Sequence, residues 1–141
     1  MSRVKPLDPK DIPELMDVFD PVIERMGFIP NSQLVMAYKP DMLRAFIELG
    51  KAVYKQEEES VPFQLKNLIG AVASHSAGCM YCVAHTSSNA ARSGIDDEKI
   101  AAIWQFETSD LFSDSERAAL SFAQAAAQVP NMTDEKDFAE L

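Results

Sequence analysis

Basic residues are scarce in this chain of 141 residues: 13 Lys and Arg stand against 22 Asp and Glu, a formal charge of −9. Nucleic acid and anionic membrane surfaces both reward a positive face, so neither is an expected partner. Long apolar runs are missing as well, and no stretch approaches the ~20 residues of a bilayer span. The opening MSRVKPLDPKD has no apolar core behind its basic residues. That argues against a secretory signal and makes the cytoplasm the expected compartment. No Asn-Gly or Asp-Gly dipeptide occurs, which removes the strongest hairpin signal. Cysteine is limited to Cys79 and Cys82, too few and too close together for a disulfide-stapled secreted fold. A bridge between them would close so small a loop that it hardly restricts the unfolded chain. The pair is therefore a chemical signal more than a structural one.

What is present is an ordinary globular balance, 47% hydrophobic and 25% charged. It predicts one domain over residues 1–141 that buries roughly two-thirds of its unfolded surface. The patterning is helical nearly throughout. Ile12, Leu15, Met16, Phe19, Val22 and Ile23 form the stripe of a half-buried helix over Asp11 to Arg25, with Gly27 as its stop. Pro13 suits its first turn, whereas Pro21 removes an internal donor and is expected to kink or divide it. Asn31 or Ser32 is expected to cap a short helix through Tyr38. A third helix is expected from Pro40 to Gln56, with Met42, Phe46, Ile47, Leu49 and Val53 on one side. Gln56 to Ser60 reads as a polar turn, and Pro62 opens a fourth helix through Leu65, Leu68, Ile69 and Val72. Gly78 interrupts that run, and a new helix runs on to a stop at Gly94. Asp96 opens the next. Ser113 and Glu116 have capping-box spacing ahead of an Ala-rich helix that ends before Pro130, and a last short helix follows Thr133. The fold class is all-α.

Chemistry concentrates between Ser74 and Thr86. Positions 79 and 82 fall one helical turn apart, at roughly 5–6 Å between Cα atoms, which a disulfide tolerates. Cys79 would sit in the first turn of its helix, where free amides and the helix dipole favour a thiolate. His85, three residues beyond Cys82, can accept a thiol proton. These residues place a nucleophile, a second thiol and a base on about two turns of one helix. Zinc is a competing reading, since His75, Cys79, Cys82 and His85 are all ligand types, but positions 75 and 85 on a continuous helix lie about 15 Å apart. No metal and no cofactor is expected. His75 also reads as a helix-end residue bonding a free carbonyl, and Tyr81 as a ring with its hydroxyl at the surface or near the thiols.

The run SHxxGCxYCxAHT from Ser74 to Thr86, with the preceding LKxLIG run, the Ala90 to Ile95 helix end and Ser115 to Leu120, resembles the alkylhydroperoxidase D-like, or carboxymuconolactone decarboxylase, family. The resemblance implies an all-α antioxidant-type bundle that assembles as a trimer or hexamer. It also implies a hydroperoxide substrate and an external dithiol reductant. It makes Cys82 the peroxidatic cysteine, oxidised to a sulfenic acid, and Cys79 the resolving one, whereas the dipole argument favours Cys79 as the more acidic thiol. Well-studied relatives carry a glutamate where this chain has Asn67, and histidines where it has Tyr81 and Thr86. Asn67 cannot take up a proton, so the relay is absent, shorter, or completed by another residue. Ser74, His75, Tyr81, Thr86 and Asn67 are accordingly supporting candidates around Cys79, Cys82 and His85. The other reading is a non-catalytic helical assembly or redox-sensing module of the same family.

Overall fold

A computed structural model describes residues 3–55 and 61–141, so the expected polar turn at 56–60 lies outside the described residues. The chain divides into two compact units, Met1–Lys55 and Gln56–Leu141. Among the described residues every regular element is helical, as the periodicity predicts.

In the first unit, 3₁₀ turns at Pro9–Asp11 and Pro13–Leu15 precede α1 (Met16–Met26), α2 (Asn31–Met36) and α3 (Pro40–Val53). The chain turns twice around Pro9 and Pro13 before helical winding begins, so α1 starts five residues later than the apolar stripe suggests. Pro21 stays inside α1, so the helix is not divided there. A proline in a helix interior costs about 3 kcal/mol. Burial of Val18, Phe19, Val22 and Met26 on the same helix outweighs that, at about 1.5–3 kcal/mol for each large side chain. Gly27 closes α1 in the left-handed conformation, φ 79°, as expected. Neither Asn31 nor Ser32 is the cap of α2: that position is Pro30, whose extended backbone (ψ 137°) leaves Asn31 already helical.

The third helix ends at Val53, short of the expected Gln56. Its burial also departs from the expected side. Leu43 is the residue α3 buries, with Ile47 packed against the same core of Ile12, Leu15, Phe19 and Leu34. Met42, Phe46, Leu49 and Val53 stay exposed, Leu49 by 62%. Arg44 on α3 clamps Asp17 on α1 through two hydrogen bonds of 2.6 and 3.0 Å. That contact holds the Asp17 carboxyl below its usual range.

The second unit comprises α4 (Phe63–Ser76), α5 (Met80–Arg92), α6 (Asp97–Ala101), a 3₁₀ turn at Ala102–Gln105, α7 (Asp114–Ala126) and α8 (Glu135–Ala139). α4 packs against both α5 and α7. Its buried face, Asn67, Leu68, Ala71 and Val72, meets Ala90, Ile103, Phe106, Phe112 and Leu120 in one core. Pro62 stands immediately before α4, where its missing donor is harmless. Ser76 Oγ donates to the Gln124 carbonyl (2.7 Å) and fastens the end of α4 to α7. Lys99 on α6 pairs with Glu116 on α7 at 2.7 Å, both largely covered. The α7 start is a full capping box: Ser113 Oγ accepts from the Glu116 amide, and the Glu116 carboxylate accepts from the Ser113 amide.

Candidate active site: a cysteine pair at a helix start

The turn between α4 and α5 is built from Gly78 and Cys79. The Gly78 amide donates to the His75 carbonyl (2.9 Å) and the Cys79 amide to the Ser74 carbonyl (2.8 Å). With Gly78 at φ 71°, this is the Schellman closure of α4. Only a residue that tolerates the left-handed region fits there, which is why glycine occupies the position. Cys79 then serves the next helix as well. It is the N-cap of α5, and its Sγ accepts from the Cys82 amide at 3.3 Å. One residue thus ends α4 through its backbone and begins α5 through its sulfur.

Cys79 and Cys82 are joined as a disulfide, with Cα atoms 5.3 Å apart, inside the separation expected from the sequence. Both residues are half-buried. Cys79 itself lies just outside the helix, one position earlier than the first-turn placement expected.

The supporting candidates divide into groups. His85, half-buried one turn beyond Cys82, has its ring 4.5 Å from the Tyr81 ring, tilted by 57°. Thr86 Oγ1 lies 2.9 Å from the Cys82 carbonyl and 3.1 Å from that of Val83. Its hydroxyl proton therefore goes to the α5 backbone, at the turn that carries Cys82. Ser74 Oγ bonds the Gly70 carbonyl in the same manner. Asn67 is buried in the α4 face, 1% exposed, and its amide donates to the Phe63 carbonyl (2.9 Å). It fills the expected relay position as a satisfied core amide. His75 stacks on Trp104, ring centroids 4.5 Å apart, while its carbonyl accepts the Gly78 amide. The neighbour Trp104 carries no local signal of this role, because it comes from the 3₁₀ turn after α6. Among the described residues, no group of three or more His, Cys, Asp and Glu side chains is placed to hold a metal ion.

Among the described residues the fold is all-helical, with two sulfurs joined at the start of one helix. The family follows from comparison. The model of the carboxymuconolactone decarboxylase family matches residues 40–125, and the chain belongs to that family. Two crystal structures of the debrominase Bmp8 are similar over the whole chain at 38% identity. One is a cysteine-to-alanine variant in complex with 2,3,4-tribromopyrrole (TM-score 0.91, 74% of that chain covered). The other is the apo protein (TM-score 0.90, 75% covered). Among curated proteins, the uncharacterized protein YnjA of Escherichia coli K12 is 34% identical over 71 residues, half of this chain and 39% of YnjA.

Proposed function

We propose that this protein is a dithiol reductase that takes an electrophilic heteroatom from its substrate and closes the Cys79–Cys82 disulfide in return. The observation that carries the reading is the half-buried pair, already within bonding distance at the start of α5. A thiolate attacks soft, polarised atoms; a neighbouring thiol then displaces what was transferred. Two electrons leave the protein as the sulfur–sulfur bond forms.

For the substrate, whole-chain similarity to a debrominase favours a halogenated aromatic ring. Cys82 thiolate attacks the halogen, the carbon–halogen bond breaks, and the ring carbon takes a proton. Cys79 then attacks the Cys82 sulfur, halide leaves, and the disulfide remains. His85, one turn from Cys82, receives the thiol proton and returns it to the ring. An organic hydroperoxide is the second reading, supported by the CxxC-and-histidine arrangement and the family resemblance. In that case Cys82 becomes a sulfenic acid and Cys79 releases water. The buried, satisfied Asn67 in place of an acid makes this the weaker of the two, because it offers no proton to a leaving alkoxide. An external dithiol restores the thiols in either case.

The test is a parallel assay of the reduced protein with brominated pyrroles and with an organic hydroperoxide, each with excess dithiol. Bromide release that vanishes in Cys82→Ser supports dehalogenation. Hydroperoxide consumption alone supports the second reading. Turnover that survives Cys82→Ser contradicts the thiol mechanism. No turnover of either substrate favours a redox-sensing or assembly module.

A further inference from the structure

The two sulfurs occupy unequal positions. Cys79 Sγ sits at the N-cap of a 13-residue helix and receives the Cys82 amide proton at 3.3 Å. Cys82 stands three residues further along, and its own amide is the one committed to Cys79. When the bridge opens, a negative charge on Cys79 keeps that hydrogen bond, strengthened by the charge, and lies at the positive end of the α5 dipole. In thiol–disulfide exchange the more acidic thiol leaves faster, and the attacking sulfur ends up on the other one.

We infer that the reducing thiol enters at Cys82 and that Cys79 is the leaving thiolate. This inference rests on the dithiol reading above and adds the direction in which the bridge is opened. The reductant thiolate attacks Cys82 Sγ, a Cys82–reductant disulfide forms, the Cys79–Cys82 bond breaks, and its electron pair leaves on Cys79. The second thiol of the reductant then attacks the reductant's own sulfur in the mixed disulfide. Cys82 is released as a thiol or thiolate, and the reductant departs as a cyclic disulfide. Cys79 remains charged and hydrogen-bonded, ready to close on Cys82 after the next substrate. The arrangement reconciles two arguments that conflict at the level of sequence. The dipole acts on the sulfur that stores charge, while external reagents meet the other sulfur.

The experiment uses the oxidised wild-type chain and a monothiol, glutathione, which cannot complete the second step. After a brief exposure, free thiols are alkylated and the cysteine-bearing peptide is sequenced by tandem mass spectrometry. Glutathione on Cys82 and alkyl label on Cys79, in about tenfold excess over the reverse, is expected for a leaving group favoured by position. Glutathione on Cys79, or an even split, overturns the inference. A second arm compares Cys82→Ala with Cys82→Pro, since proline removes the amide donor but is tolerated in a first helical turn. Near neutral pH, alkylation of Cys79 is expected to be about three- to tenfold slower in Cys82→Pro, with helix content checked by circular dichroism. An unchanged rate in a folded Cys82→Pro protein contradicts the inference; if that variant unfolds, the wild-type mapping decides alone. Neither arm uses an electrophilic substrate, so failure of the proposed substrate leaves both readouts intact. A bridge that no thiol opens refutes the dithiol reading itself.

Discussion

Helices α5 and α7 are each 13 residues long and begin in the same way. In both, the N-cap side chain accepts from the amide three residues on: Ser113 Oγ from Glu116 at 3.2 Å, and Cys79 Sγ from Cys82 at 3.3 Å. The oxygen at α7 is a purely structural partner, reinforced by the returning Glu116 carboxylate. The sulfur at α5 has no returning carboxylate, and its third helical residue is another cysteine. One geometry serves folding at α7 and, in the proposed function, reactivity at α5. The difference lies in the polarisability and acidity of the capping atom, because a thiol is partly ionised near neutral pH and a hydroxyl is not.

Exchanging the atoms breaks the comparison most sharply. Cys79→Ser gives α5 the same N-cap residue as α7, so thermal unfolding of the reduced protein is expected to shift by no more than about 0.5 kcal/mol. Disulfide-forming turnover is expected to fall at least about a thousandfold, as loss of an essential member of a catalytic unit does. Dithiol consumption in a steady-state assay reads this directly. The converse change is smaller and of another kind. Ser113→Ala is expected to cost about 1 kcal/mol in urea unfolding, the usual loss for an N-cap, with turnover unchanged. A loss of turnover there would mean that the two helix starts are coupled.

The smallest effect concerns pH. Burial raises the affinity of the Glu116 carboxyl for a proton, but the hydrogen bond from Lys99 and those from Ser113 outweigh it and leave the group below its ordinary value of 4.5. The folded state thus prefers the ionised form. Its contribution is present above the ordinary carboxylate range and is lost as pH falls through the lowered folded value. Glu116→Gln is expected to flatten that part of the acid limb in a pH series of unfolding curves. No change in the limb would contradict the assignment.

Much of this is legible in the sequence. Gly27, Gly94 and the Ser113–Glu116 spacing mark helix ends by backbone chemistry that depends only on near neighbours, and each falls where expected. The cysteine pair is legible for the same reason, since its separation is set by three residues of local winding. What depends on tertiary placement is not. α3 and α4 are both 14-residue helices with apolar stripes. α4 buries its stripe against α5 and α7, whereas α3 buries Leu43 and leaves Met42, Phe46, Leu49 and Val53 exposed. Periodicity identifies the stripe but not what covers it. The stacking of His75 on Trp104 is a contact between distant segments, invisible to spacing. Pro21 shows a local penalty overruled by core burial. Asn67 reads in sequence as a gap in a relay, and in the fold it is a buried amide bonded within its own helix.

In the proposed function Cys79 and Cys82 cycle between dithiol and disulfide as substrate is reduced. A single-turnover experiment tests it most directly: fully reduced protein, free of any other thiol, mixed with excess brominated pyrrole, followed by intact mass and bromide release. A loss of about two mass units per chain in step with one bromide is expected, since each disulfide removes two hydrogens. Bromide released with both thiols still free, or a fully oxidised pair with no bromide, would contradict it.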